Sequence, residues 1–311
     1  MEDRILGLHH ITAIAGDARR NHQFYTDTMG LRLVKKTVNF DDPETYHFYY
    51  GNEAGSPGTI LTFFPWAHVR PGSIGPGMAT AIGYSVPAGS LDFWQRRFEE
   101  KKVATGPRAE LFGETYLPFR DPDGLHIHFV EPKTADNRTP WSTKGVGKDE
   151  ATRGFHSITL TLKDIKPTAE ILTEVFEYKL LSQDGNHYRF ITDAIDNSAI
   201  VDLFEAPGMP PGLNAGGTNH HVAFRVKNEE VLMKFRQKVA ARGLQITPKI
   251  DRNYFFSLYF REPGGVLFEI ATDNPGFAID ENANELGTNL KLPAQYESMR
   301  TEIEKVLPTL G

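Results

Sequence analysis

The chain has 311 residues, 40% of them hydrophobic and 24% charged, with a formal net charge of −6 and no cysteine. Those proportions are ordinary for a globular protein of about two domains. Its scattered lysines and arginines offer no basic stripe to nucleic acid or an anionic membrane, no run approaches the ~20 apolar residues of a membrane span, and the absence of cysteine excludes disulfides, thiolate nucleophiles and sulfur-held metals.

In chain order, "GLHHITAI" (7–14) reads as an apolar strand. A helix over 18–29 follows, with Asp17 as its cap, Phe24, Tyr25 and Met29 at helical spacing, and Gly30 beyond its end. Three shorter strand-like runs broken by Gly, Pro, Asn or Asp complete a unit that ends at 66. The Gly- and Pro-rich stretch 65–77 is either a rigid lid or a connector. A second unit spans 78–132, with Ser90 as the candidate cap of its helix. Residues 133–153, polar and rich in Gly and Thr, read as a linker between a first half (1–132) and a second half (154–273). The second half repeats the pattern at 154–207 and 218–273, with Asn228 capping the last unit's helix. A Pro- and Asn-rich tail (274–311) then leads to "AQYESMRTEIEKVL", expected to be a helix docked on the body.

This division rests on internal repetition: "GLHHIT" at 7–12 returns as "GFHSIT" at 154–159, and "YLPFRDPDGL" at 116–125 returns as "SLYFREPGGV" at 257–266. Four βαβββ units with one-sided apolar sheets cannot bury those faces alone. The expected fold is therefore α+β, with units paired into two curled-sheet barrels around cavities. A His-His pair opens the first unit (His9, His10) and the last (His220, His221). Because side chains alternate along a strand, one member of each pair is expected to face a cavity and the other to serve the wall behind it.

The tandem units, "LHHIT", "NHHVAF" and "FREPGGVLFEI" resemble the vicinal oxygen chelate (glyoxalase/bleomycin resistance/dioxygenase) superfamily. The likeness runs along essentially the whole chain and points to the ring-cleaving branch that contains the hydroquinone dioxygenases. It implies a metal held by His10, His221 and Glu269, catalytic roles for His9, His220 and Tyr259 beside the substrate, and substrate contacts from Thr12 and Arg252. Two neutral imidazoles and one carboxylate suit non-haem iron(II), with Mn(II) or Zn(II) as alternative or adventitious ions. Glu269 stands in the apolar frame "VLFEIA", where coordination would compensate its burial. The other histidines, His22, His47, His68 and His187, are given structural roles.

Sliding the repeats over one another aligns Glu269 with His128 and His10 with Ser157, so the middle pair of units reads as a degenerate, structural barrel and the outer pair as the catalytic one. The expected activity is an iron(II)-dependent, extradiol-type ring-cleaving dioxygenase of hydroquinones or catechols, serving aromatic degradation or quinone detoxification. Its partners would be a small aromatic substrate and O₂, with no nucleic acid and no membrane; the expected location is cytoplasmic, and a homo-oligomer is left open. Two alternatives stand beside it: a glyoxalase-type metal-dependent isomerase or lyase, and a non-catalytic aromatic-binding protein of the same fold.

Overall fold

The computed structural model describes residues 3–310; Met1, Glu2 and Gly311, at the outer ends of the first half and the tail, lie outside the described residues. Sixteen strands form two eight-stranded sheets among the described residues. The first unit supplies β1 (Leu8–Ala15), α1 (Ala18–Gln23, continued by a wider turn over Phe24–Thr28), β2 (Arg32–Asn39), β3 (Asp42–Gly51) and β4 (Ile60–Pro65). The second supplies β5 (Met78–Ser85), α2 (Leu91–Glu100), β6 (Ala109–Leu111), β7 (Glu114–Arg120) and β8 (His126–Val130). The third contributes β9 (Gly154–Leu162), α3 (Lys166–Glu170), β10 (Lys179–Asp184), β11 (His187–Ile191) and β12 (Ile200–Glu205). The fourth contributes β13 (Thr218–Val226), α4 (Glu229–Ala241), β14 (Ile250–Asp251), β15 (Phe255–Arg261) and β16 (Leu267–Pro275).

One sheet runs β14-β15-β16-β13-β1-β4-β3-β2 and the other β10-β11-β12-β9-β5-β8-β7-β6. Units one and four thus share a sheet through the antiparallel pair β1·β13, and units two and three share one through β5·β9. Within each unit the first strand lies parallel to the last, because the helix carries the chain across before the remaining strands return. Each sheet therefore draws one unit from each half of the sequence.

The strands obey two-residue alternation where it matters for packing. Ile11, Ala13 and Ala15 of β1 join the core with Tyr25 and Phe63, whose rings lie 4.6 Å apart, whereas His10 and Thr12 face a cavity. Leu91, Trp94 and Phe98 of α2, and Val231, Leu232, Phe235 and Val239 of α4, are the buried stripes of their helices. Asp17 and Asn228 cap as expected, accepting from the backbone N–H of Arg20 and of Val231. Ser90 does not: its hydroxyl donates to Pro87 O, and the start of α2 is satisfied by Glu131, which accepts from Gly89 and Leu91 N–H.

The stretch 133–153 is packed, with Val146 and Ala151 buried. Its Arg138 donates to Gly58 O, Phe155 O and Ser198 Oγ, tying the two sheets together. The tail docks through a short helix, α5 (Arg300–Val306), which buries Ile303. It also encloses Lys35, which is fully buried with Asp280 Oδ1 and Glu281 Oε2 each at 2.5 Å.

Candidate metal centre

The two histidine pairs sit at two register shifts in the β1·β13 ladder. Leu8 pairs with Phe224 and His10 with Ala223, so His9 is the unpaired extra residue; Thr12 pairs with His221 and Ala13 with Asn219, so His220 is the other. A bulge turns its extra residue out of strict alternation. Each doubled histidine is therefore a ligand candidate plus a bulged neighbour whose ring approaches the ligand ring on the same side of the sheet. The ring nitrogens meet at 2.9 Å (His9 Nδ1 to His10 Nδ1) and 2.8 Å (His220 Nδ1 to His221 Nδ1).

The first of these contacts sets the tautomers. Thr272 O can only accept, so His9 Nε2, 3.1 Å away, carries a proton. Burial, followed by the neighbouring His10, holds the His9 pKa well below its ordinary value, so its ring is neutral and its Nδ1 accepts. His10 Nδ1–H donates to it, and His10 Nε2 is left with a lone pair. That lone pair faces Glu269 Oε2 at 3.2 Å, and His221 Nε2 lies 2.9 Å from the same oxygen.

Glu269 is fully buried, and its Oε2 has no hydrogen-bond donor, while its Oε1 accepts from Ser257 Oγ. Burial alone would favour the neutral acid; positive charge beside it, at His10 first and then His221, would hold Glu269 well below the usual carboxylate range, and with both rings neutral that charge falls to a bound cation. A lone pair on nitrogen directed at an unpartnered carboxylate oxygen is repulsive unless a cation lies between them. The three donor atoms lie within 4.8 Å of one another, and these residues form the one such group found among the described residues. They fit a divalent metal.

The cavity in front of this group measures about 240 Å³. Thr12, His220, Arg252 and Tyr259 line it, together with His10 and His221. Arg252 Nε donates to Tyr259 OH at 3.2 Å, and its guanidinium lies between the rings of Phe40 and Tyr259, 5.7 and 5.3 Å from their centres. Burial pushes the Tyr259 phenol upward, with Glu269 adding to this, so it remains protonated at neutral pH. His220 is pushed down to about 4, by burial first and by His221 next.

His9 departs from its expected place. It is not part of the cavity wall; both ring nitrogens are engaged behind His10, and its ring packs on Phe255 at 5.2 Å. The substrate-side place for His9 is what the resemblance implies; alternation puts one histidine of each pair behind the other, which holds for His9, and it fails at His220, which a bulge brings to the cavity beside His221. In the other direction, His47, expected to be structural, lines the cavity. Its Nε2 lies 3.0 Å from Thr62 Oγ1, which is 2.9 Å from Thr12 Oγ1, and Tyr49 OH is 3.0 Å from its Nδ1. Burial keeps His47 neutral. The signal that could have found it is the alternation of "TYHFYY", in which His47 and Tyr49 share a face. Phe40, Phe64, Trp66 and Phe255 complete an aromatic surround. The 65–77 loop contributes Trp66 and is pinned as a connector by bridges from Pro71 to Gly216 and Ser73 to Leu213.

The family model described as "Glyoxalase/Bleomycin resistance protein/Dioxygenase superfamily" matches residues 7–129 and 154–270. The chain is 44% identical over 307 residues to a Bacillus subtilis (strain 168) protein named "Putative ring-cleaving dioxygenase MhqO", covering 99% of this chain and 97% of that one. It is 34% identical to the "Chlorohydroquinone/hydroquinone 1,2-dioxygenase" of Sphingobium indicum, covering 99% and 97%. Among solved structures, a Bacillus subtilis protein described as a putative dioxygenase superposes with a TM-score of 0.95 at 44% identity over 99% of this chain and 98% of that one. Glyoxalase I from Zea mays shares the fold, with a TM-score of 0.63 at 14% identity over 87% and 92%. With both halves matched and such relatives spanning nearly its whole length, the chain belongs to the Glyoxalase/Bleomycin resistance protein/Dioxygenase superfamily.

Proposed function

We propose that the protein is a non-haem iron(II) ring-cleaving dioxygenase for hydroquinone-type or catechol-type aromatics, extradiol-type in its ligand set. The observation that carries this reading is a three-donor site whose fourth position is a threonine. Glu269 stands opposite Ala223, two residues beyond His221; the matching place on the other side of the β1·β13 pair is Thr62, opposite Thr12, two residues beyond His10. A glyoxalase-type site in this superfamily takes four protein ligands, two from each paired unit. Here the Thr62 hydroxyl is occupied with Thr12 and His47. Two imidazoles, one carboxylate and open positions form the donor set of iron(II) oxygenases. The ring-cleaving names of the full-length relatives support the same reading.

Iron(II) held by His10, His221 and Glu269 would supply the redox link between an electron-rich ring and O₂. The remaining work falls to the chain. The cavity has room for one monocyclic ring, since about 150 Å³ already admits benzene. Phe40, Phe64 and Phe255 supply its apolar walls. Tyr259 OH, accepting from Arg252, has its own proton free to donate to a substrate oxygen, and Arg252 stabilises negative charge on the ring. With His221 Nδ1–H donating to His220 Nδ1, His220 keeps its Nε2–H for a group in the cavity, so in its neutral form it serves as a donor. His9 orients His10 and touches no substrate. The location and biological setting proposed are cytoplasmic aromatic degradation or quinone detoxification.

The test is oxygen uptake by anaerobically iron(II)-loaded protein against hydroquinone, methylhydroquinone, chlorohydroquinone and catechol. Stoichiometric uptake with loss of the aromatic absorbance is expected. Hemithioacetal isomerisation with zinc or nickel, without oxygen uptake, would favour the isomerase reading, and ligand binding with neither activity the binding-protein reading.

A further inference from the structure

The central barrel keeps the plan of the metal-bearing one. Across β5·β9, Thr80 and His156 are the unpaired residues, in the places of His220 and His9. Ser157, Ala81 and His128 stand where His10, His221 and Glu269 stand. Those three positions lack the donor set of their counterparts, and among the described residues no other group of metal donors is found there, yet the barrel retains a cavity of about 220 Å³, close to the 240 Å³ of its counterpart.

A barrel retained for support alone would gain dispersion contacts by filling that space with larger apolar side chains. Its walls instead carry hydroxyls and flat rings. Thr80 Oγ1 meets Thr161 Oγ1 at 2.7 Å; Tyr116 stacks on His128 at 4.7 Å and 26°; His187 stacks on Phe204 at 4.4 Å and 17°. Charge restricts what can enter. Arg189 is held by both oxygens of Asp202 at 2.8 and 2.9 Å and by Glu114, so one cation faces two carboxylates and no positive charge remains for an anion. Arg189 and Glu114 also border a wider surface groove of about 620 Å³.

We propose that the central cavity is a second, metal-free site for a neutral monocyclic phenol, bound between ring walls and hydroxyl groups without turnover. It does not rest on the activity of the metal centre.

The probe is 4-bromophenol, whose single hydroxyl and neutral form at pH 7 suit the site and whose bromine reports position. Titration calorimetry on metal-loaded protein, with anomalous bromine density from soaked crystals, should show one molecule inside the central barrel, at a solution affinity tighter than millimolar. Ala81→Phe, which puts a ring where His221 lies in the other barrel, should remove that molecule and leave any bound at the metal centre. Absence of central bromine density, binding at crystal concentration only, or undiminished central binding in Ala81→Phe would overturn the proposal. If Ala81→Phe fails to fold, the wild-type density and titration decide.

Discussion

His9 separates two roles that the paired histidines suggest. Its Nδ1 accepts from His10 Nδ1–H at 2.9 Å, and its Nε2–H donates to Thr272 O at 3.1 Å, both in buried surroundings. His9→Ala removes both partners. His10 Nδ1–H and Thr272 O are left unsatisfied, at about 1–3 kcal/mol each where water cannot replace the lost bond. Loss of such an outer partner typically weakens a metal about 10- to 100-fold, or about 1.4–2.7 kcal/mol. Chelator competition on wild type and variant should therefore show that weakening, while at saturating metal kcat stays within a few-fold of wild type, because His9 is absent from the cavity wall. Unchanged metal affinity with turnover reduced by the ~10²–10⁴ of a lost proton-transfer group would refute this and return His9 to a catalytic role.

Replacing a ligand is more severe: His221→Ala should fold but purify without stoichiometric metal, since the remaining imidazole and carboxylate cannot retain it, and full metal occupancy in that variant would contradict the assignment. His128, pushed by burial to about 4, is neutral in the fold while the unfolded chain takes up a proton near pH 6.5. Its contribution to stability is complete above pH 6.5 and falls by up to ~1.4 kcal/mol per pH unit between 6.5 and 4. Urea unfolding at pH 7.5 and pH 5 should accordingly show a smaller acid loss in His128→Gln than in wild type. Lys35→Met leaves Glu281 buried beside Asp280 without its cation and should cost about 3–5 kcal/mol. Limited proteolysis should then release the tail first, and an unchanged melting temperature would show that the ion pair does not secure it.

What was legible in the sequence was whatever depends on periodicity and repetition. The matching openings at 7 and 154 and closings at 116 and 257 gave the four units, and the need for His10 to meet His221 paired the outer two, as the β1·β13 ladder does. Asp17 and Asn228 were readable because capping is decided within a few residues. Ser90 was misread because Glu131, forty residues away, satisfies the same helix start. The bulges were hidden because a register shift is a relation between two strands, and nothing within "LHHIT" marks which histidine is the extra one. His47 shows the same limit: it faces the cavity only because β3 returns beside β4. The polar composition of 133–153 masked its anchoring, since Arg138 reaches one acceptor in the turn before β4, Gly58 O, and another on β9, Phe155 O.

If strand register and bulges create the metal centre, the central barrel should accept one. Ser157 lies opposite Gly83 as His10 lies opposite Ala223; Ala81 lies opposite Thr159 as His221 lies opposite Thr12; His128 lies opposite Gly83 as Glu269 lies opposite Ala223. His156 already stands behind position 157, with Nδ1 3.1 Å from Ser157 Oγ and Nε2 3.2 Å from Glu114, as His9 stands behind His10. The variant Ser157→His/Ala81→His/His128→Glu therefore restores all three donors on a backbone already bent to present them. Thr80 is shorter than His220 and its hydroxyl is engaged with Thr161, so it does not reproduce the ring-to-ring contact His220 makes with His221, and the triple variant should bind its second metal about 10- to 100-fold more weakly than the first. Adding Thr80→His should recover part of that difference. Metal analysis after dialysis, with circular dichroism to confirm folding, should give close to two ions per chain in the quadruple variant and one in wild type. A folded quadruple variant that still holds one ion would mean that the register is insufficient and that the aromatic surround of the outer barrel, with Phe255 packed on both His9 and His10, also fixes the ligands.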